Sequence, residues 1–350
     1  MFESYIHRLK SIHIELNIDF TLCNYIHTIL TMNNFLDPAI LFFIFGVLAG
    51  FAKSNLEIPQ PIARFLSLYL LMALGLKGGF ALYESGITTE VITSLGGAIF
   101  MAILVPSIGY LILSQKLKKL DAAAVAATYG SISAVTFITA SQSLDELGIH
   151  YGGHMAAAMA LMESPAIIFA IIVASKIRSQ QQTHDVARPS LGKIFHESFT
   201  DGGQLLLLGS MIIGIISGDV AHEVLAPFSI DLFKGILSFF LLDMGLHAAR
   251  NISELKNKPA ICFYYAILGP VSHAIIALIL AKLLGLELGN AILLMVLSSS
   301  ASYIAVPAVL RQSLPEVSPA LYMGMSLGLT FSLNIIFGIP LYTYLAQLWI

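Results

Sequence analysis

The chain alternates apolar stretches of membrane-crossing length with short polar or Gly/Pro-marked breaks. Hydropathy and breakers outline ten such stretches, at about 38–52, 60–80, 89–113, 120–146, 151–175, 201–218, 229–249, 258–283, 288–311 and 317–346. A helix of about 20 apolar residues crosses the roughly 30 Å hydrocarbon layer, so the first and sixth stretches are short for the task. A polar segment near residues 177–200, holding Gln180-Gln181-Gln182 and Pro189, separates five stretches from five. The pattern predicts an all-α integral membrane protein with a first unit over 37–176, a linker over 177–200 and a second unit over 201–350.

Composition agrees. Hydrophobic residues make up 57% and charged residues 11%, against about 25% charge in soluble domains. Mean hydropathy is +0.83. A net charge of −3 gives no basic surface for nucleic acid. The two cysteines, Cys23 and Cys262, lie far apart and suggest neither a disulfide framework nor a metal cluster. Walker, nucleophile-elbow, zinc-protease and dinucleotide motifs are absent. An ATP-driven pump is thereby excluded, and a transporter rather than an enzyme is expected, with no cofactor beyond a coupling ion. Residues 1–36 form an N-terminal extension that mixes charged and apolar residues. It reads either as a peripheral amphipathic helix or as an artefact of a start codon assigned upstream of Met32.

The two halves match span by span. Gly46-Val47-Leu48-Ala49-Gly50 corresponds to Gly214-Ile215-Ile216-Ser217-Gly218, and Gly75-Leu76-Lys77 to Gly245-Leu246-His247. Ala102–Pro106 corresponds to Ala266–Pro270, and Ile167-Ile168-Phe169 to Ile335-Ile336-Phe337. The offsets are 168, 170, 164 and 168 residues, so the matches are nearly collinear. Five spans per copy is odd, so the second copy enters the membrane from the opposite side and the repeats are inverted. Thirteen of the 18 lysines and arginines, including Lys53, Arg64, Lys116, Lys118, Lys119, Lys176, Arg250 and Arg311, gather on one face. By the positive-inside rule that face is cytoplasmic and both termini are outside, in a plasma (inner) membrane.

Two polar interruptions occupy matching places. Gly130-Ser131-Ile132-Ser133-Ala134-Val135-Thr136 breaks the fourth span, and Ser298-Ser299-Ser300-Ala301-Ser302-Tyr303 breaks the ninth. Each runs on to Gln-Ser-Leu, at 142–144 and 312–314, 170 residues apart. Discontinuous helices at corresponding points of two repeats mark a transporter's binding site. Half-helix N-termini suit a small anion, and freed carbonyls suit Na⁺. Gly130, Ser131, Ser133, Thr136, Ser299, Ser300, Ser302 and Tyr303 are the candidate substrate ligands. Small residues also line tight helix crossings, and hydroxyls often bond back to their own helix, so packing is the competing reading.

Glu163, followed by Ser164 and Pro165, is an ionisable group inside the fifth span and a functional suspect on that ground. With Ser164, and with Ser332 and Asn334 beside its repeat mate Phe331, it forms the candidate cation site; a carboxyl at the membrane edge or hydrogen-bonded between helices is the alternative. Lys77 and Asp243, in the paired second and seventh spans, either snorkel or pair with each other. His154, His247 and His273 are isolated, as polar helix contacts are. Glycines at 46/50, 214/218 and 324/328 permit close helix approach.

At these motifs the chain resembles the sodium-dependent bicarbonate transporter family, whose founding members serve carbon concentration in cyanobacteria. The likeness runs from about Phe35 to the C-terminus and rests on residues 130–136, Met162-Glu163-Ser164-Pro165-Ala166, Gly75-Leu76-Lys77-Gly78-Gly79 and Ser300–Pro307. The resemblance implies a 5+5 inverted-repeat fold, Na⁺-coupled bicarbonate uptake, a homotrimer and regulation by a PII-like nucleotide-sensing protein. Another small anion, such as a monocarboxylate, or a passive anion channel or sensor are the alternative readings.

Overall fold

A computed structural model describes residues 37–86, 88–180, 202–255 and 258–350. The N-terminal extension and most of the linker lie outside the described residues. The rest is helical, with no strand among the described residues. The helices are α1 (Pro38–Phe51), α2 (Gln60–Ser85), α3 (Thr89–Leu113), α4 (Lys119–Gly130), α5 (Ala134–Leu147) and α6 (His154–Gln180), then α7 (Gly202–Ala226), α8 (Phe233–Ile252), α9 (Ala260–Leu284), α10 (Leu288–Ser299), α11 (Ala305–Ser313) and α12 (Pro319–Trp349). Their limits fall within a few residues of the hydropathy stretches, apart from longer runs at the ends of α2, α6 and α7. Among the described residues, seven segments are long and apolar enough to cross a membrane, with α4–α5 counted as one; α1, the start of α7 and α10 are shorter apolar helices.

Helix starts follow from local chemistry. The Asp37 carboxylate accepts the Ala39 amide at 2.7 Å ahead of Pro38, satisfying amides that a helix start leaves open. Thr88 caps α3 in the same way through Val91. Within α7, Gly218 adopts φ 53°, ψ −142° and kinks the helix. The Tyr83 ring lies against this glycine where a Cβ would project. In α12, wide π-helical turns at Gly324–Phe331 and Asn334–Gly338 replace the regular turn.

Two bodies emerge from the packing. In one, α1 lies along α8 and α2 along α7. A Cβ on Gly46 would strike the Leu242 carbonyl, one on Gly245 the Phe43 carbonyl, and one on Gly79 the Met211 carbonyl. Glycine is required there because, between lipid-soluble helices, attraction comes from close van der Waals contact rather than from escape from water. In the other body, α3, α4 and α6 pack together, α9 and α10 pack against them, α5 lies on α10 and α11 on α6, while α12 bridges α9 and α10 to α8 of the first body. The pairing of Lys77 with Asp243 does not occur. Lys77 instead bonds Asp145 at 2.9 Å, while Asp243 is 2% exposed with His247 Nε2 at 3.7 Å. The two positions sit in helices aimed at different neighbours, which offset alone does not reveal.

Candidate functional site

Both interrupted spans stop in the same way. α4 and α10 are each 12 residues long. Each exits through an extended serine, Ser131 at φ −98°, ψ −179° and Ser300 at φ −83°, ψ 172°. The two breaks then bond to each other. The Ser302 amide donates to the Thr128 carbonyl at 2.8 Å, and the Ser133 amide donates to the Ser300 hydroxyl at 3.0 Å. Backbone that leaves the helix in hydrocarbon must find such partners, since each open group there costs several kcal/mol.

The chain restarts as helix immediately. Ser133 caps α5, its Oγ accepting from the Thr136 amide at 3.2 Å and the Thr136 hydroxyl at 2.9 Å. The same Oγ donates to the Tyr303 hydroxyl at 3.4 Å. That leaves the phenolic proton of Tyr303 to be donated elsewhere. At α11 the Val306 amide donates to Ser302 Oγ at 3.2 Å.

A second layer holds the breaks in place. The Pro106 ring lies where a Cβ on Gly130 would be, which explains the glycine at the end of α4. Pro270 removes the helical donor for the Ala266 carbonyl, and Thr330 Oγ1 donates to that carbonyl at 2.8 Å. Tyr129 in turn donates to Thr330 Oγ1 at 2.6 Å. Asn334 Nδ2 donates to the Ser299 carbonyl at 2.9 Å, and the Tyr342 hydroxyl donates to Asn334 Oδ1 at 2.9 Å.

Beside the crossing lies a cavity of ≈ 230 Å³. The second body contributes Ile132–Val135, Glu163 and the Ser302–Ala305 turn; the first contributes Arg64 and Ser67 from α2 and Gln204 from α7. Thus the first turns of α5 and α11 face one space. A helix start carries about half a positive charge, and its first amides lack helical acceptors. Glu163 is 7% exposed and Arg64 is exposed at the surface, so the cavity holds one acid and one base at different depths. Pro165, inside α6, leaves the Leu161 carbonyl without its usual amide. The hydroxyls of Ser131, Ser164 and Ser298 are buried without a hydrogen-bond partner among the described residues. Buried polar groups in that condition are rare.

Of the sequence candidates, Ser133, Ser302, Tyr303 and Glu163 line the cavity. Gly130, Ser131, Thr136, Ser299 and Ser300 build the crossing behind it. Ser332 and Asn334 do not join Glu163. Ser332 Oγ donates to the Gly328 carbonyl within its own helix, and Asn334 is committed to the Ser299 clamp. Sequence reasoning missed Arg64, Ser67 and Gln204. Arg64 carries a readable charge, but as one of many basic residues at helix ends it signals only topology. Among the described residues, no group of three or more His, Cys, Asp or Glu side chains is placed to hold a metal. His273 instead meets the Tyr265 hydroxyl at 3.4 Å.

The sequence profile of the Na⁺-dependent bicarbonate transporter superfamily matches residues 38–347. Curated proteins yielded no match to the chain.

Proposed function

Because the chain belongs to the Na⁺-dependent bicarbonate transporter superfamily over residues 38–347, we propose that it is a secondary transporter that carries bicarbonate into the cell together with Na⁺. The observation that carries this reading is the meeting of two half-helix N-termini, those of α5 and α11, at one cavity of ≈ 230 Å³. Bicarbonate is small and singly negative. First-turn amides and the Tyr303 hydroxyl donate to its oxygens, and Arg64, on the face assigned to the cytoplasm, marks the inward opening through which the anion leaves. Na⁺ is a hard cation that seeks oxygens. Glu163, the Leu161 carbonyl and the open hydroxyls of Ser131, Ser164 and Ser298 supply that chemistry.

Ten spans in two inverted repeats fit the packing. A two-fold that exchanges the halves would carry the α1–α8 contact onto the α7–α2 contact, and both contacts are present. The half-helices α4 and α10 begin 169 residues apart, at Lys119 and Leu288, within the range of the motif offsets. The cavity lies between the two bodies, so sliding one past the other would move the bound ions from one side of the membrane to the other. The basic face is assigned to the cytoplasm, with the protein in the inner membrane. A homotrimer and a PII-like regulator complete the reading, on family resemblance.

Uptake of labelled bicarbonate into proteoliposomes, with and without an inward Na⁺ gradient, tests the proposal. Accumulation only with Na⁺ is expected. Na⁺-driven uptake of a monocarboxylate with bicarbonate inert would replace the cargo. Gradient-independent flux, or binding without flux, would sink the symporter in favour of a channel or a sensor.

A further inference from the structure

A second cavity, of ≈ 250 Å³, lies between the same two bodies at the far end of α2 from Arg64. α2 gives Arg64, Ser67 and Leu71 to the first cavity, then Leu74, Lys77 and Glu84 to the second. α5 gives Ser133 and Ile138 to the first, then Phe137 and Asp145 to the second. α6 likewise gives Glu163 and Met159, then Ala156, with Gly153 just ahead of its first residue. The cavities are therefore in line along three helices, with a thin layer containing Leu70, Leu74, Phe137 and Met159 between them.

Two ion pairs join the bodies near this cavity, one of them, Lys77 with Asp145, on its wall. Asp145 and Glu146 are consecutive residues in the last turn of α5, the half-helix that Ser133 caps. Asp145 meets Lys77 of α2 at 2.9 Å, and Glu146 meets Lys234 of α8 at 2.5 Å. Both lysines belong to the first body and both acids to the second. Acids at a helix C-terminus oppose the helix dipole, and within α5 only Glu146 has a bonding partner among the described residues, the Gln142 amide at 3.1 Å. Their ionic partners lie across the gap. The pairs are also partly exposed, with side-chain accessibilities of 22% and 37% for Lys77 and Asp145. Exposed pairs are weak enough to break and re-form.

Each lysine keeps company when the acids leave. Lys234 also bonds Asp37, within its own body, at 2.8 Å. Lys77 sits 5.0 Å from the centre of the Phe233 ring, also in its own body.

We propose that Asp145 and Glu146 are a latch. They hold the end of α5 against Lys77 and Lys234, fix the bodies in the arrangement in which apolar side chains part the second cavity from the site at Ser133, and release when the bodies slide so that the site opens to the opposite side. Calling this a transport path rests on the function proposed above, but the test reads accessibility and not uptake.

Ala156, 3% exposed on the second-cavity wall, is the reporter. Ala156→Cys is placed in a protein carrying Cys23→Ser and Cys262→Ser, and thiol labelling is followed in detergent solution. Adding Asp145→Asn with Glu146→Gln should speed labelling by about tenfold, the combined bias of two exposed pairs. Lys77→Arg should label like the parent, and exchanging the charges with Lys77→Asp and Asp145→Lys should bring the rate of Asp145→Asn back toward the parent. Cys262, 1% exposed on α9 and kept as the lone cysteine in a parallel protein, should stay unreactive in the neutralised variant. An unchanged Ala156→Cys rate after neutralisation overturns the latch. So does a reactive Cys262, which would make the acids part of the general fold.

Discussion

The Ser302 amide and the Thr128 carbonyl, 2.8 Å apart, join the break in one half of the chain to the break in the other. The reciprocal bond from the Ser133 amide to the Ser300 hydroxyl makes the crossing self-supporting. Neither break could stay open in hydrocarbon alone, since each would expose backbone groups that lipid cannot satisfy. Joined, they leave the starts of α5 and α11 free to face the cavity, so the stability of the crossing and the chemistry of the site are one problem.

Ser133→Ala and Ser300→Ala separate those two roles. Ser300→Ala leaves the buried Ser133 amide without its acceptor, which costs about 1–3 kcal/mol, and should lower the melting temperature in detergent. Ser133→Ala removes the α5 cap, a loss of about 1 kcal/mol, and a hydroxyl on the cavity wall. It should raise the KM for bicarbonate about tenfold, because the Tyr303 hydroxyl and the first turn of α5 lose the group that positions them. Transport by Ser133→Ala with the parent KM would place the anion elsewhere.

The glycine crossings predict a sharp contrast between similar substitutions. Gly46→Ala and Gly245→Ala drive a methyl into backbone carbonyls across the α1–α8 contact. Overpacking of this kind costs about 1–3 kcal/mol. Gly209→Ala, in α7, meets nothing within 4 Å and should be neutral or gain up to about 1 kcal/mol from helix propensity. Thermal unfolding of the three variants decides. Equal behaviour would mean that the bodies adjust freely and that the close approach is incidental.

Much of this was legible in the sequence because it has a period or a composition. Helix limits follow from apolar run length, and the breaks at 130–133 and 300–304 follow from small hydroxylated residues inside such runs. Partner choice has no comparable signal. Gly46 announces a close approach without saying that Gly245 is opposite, and Lys77 announces a need for an acid without naming Asp145. Asn334 looks like a cation ligand by its place beside the repeat mate of Glu163, yet its amide clamps Ser299. The π-helical turns of α12, where Thr330 and Asn334 lie, follow from tertiary contact rather than from any local motif. Arg64 and Gln204 reach the cavity only because α2 and α7 pack side by side.

Acid should loosen the far end at Asp37. Burial alone would raise this carboxyl, but the bond to the Lys234 ammonium and the Ala39 amide outweigh it and hold it below the usual carboxylate range. A group whose folded pKa is depressed contributes stability that is present above its unfolded pKa, about 3.9, and lost as pH falls through the folded value. The melting temperature of the parent should therefore drop more steeply below about pH 4 than that of Asp37→Asn, which has no carboxyl to protonate. Parallel acid limbs for the two proteins would show that Asp37 contributes nothing through its charge.

Glu163→Gln tests the division of labour inside the cavity. Glu163 is the acidic side chain on the cavity wall, and its neighbour Pro165 opens a carbonyl one turn earlier. A carboxylate beside an anion would repel it, so the group is useful there only if a cation lies between. Replacing it with an amide of the same shape keeps an oxygen donor and removes the charge. The concentration of Na⁺ giving half-maximal uptake should rise about tenfold, since a contact with a charged group is worth about 1.5–3 kcal/mol against about 0.5–1.5 for a neutral one. The KM for bicarbonate at saturating Na⁺ should change by less than about threefold, because in the proposed site the anion's donors are amides and hydroxyls that the substitution leaves in place. Should bicarbonate KM move while Na⁺ dependence stays fixed, Glu163 faces the anion through a shared proton, and the cation must be sought at the open hydroxyls of Ser131 and Ser298 instead.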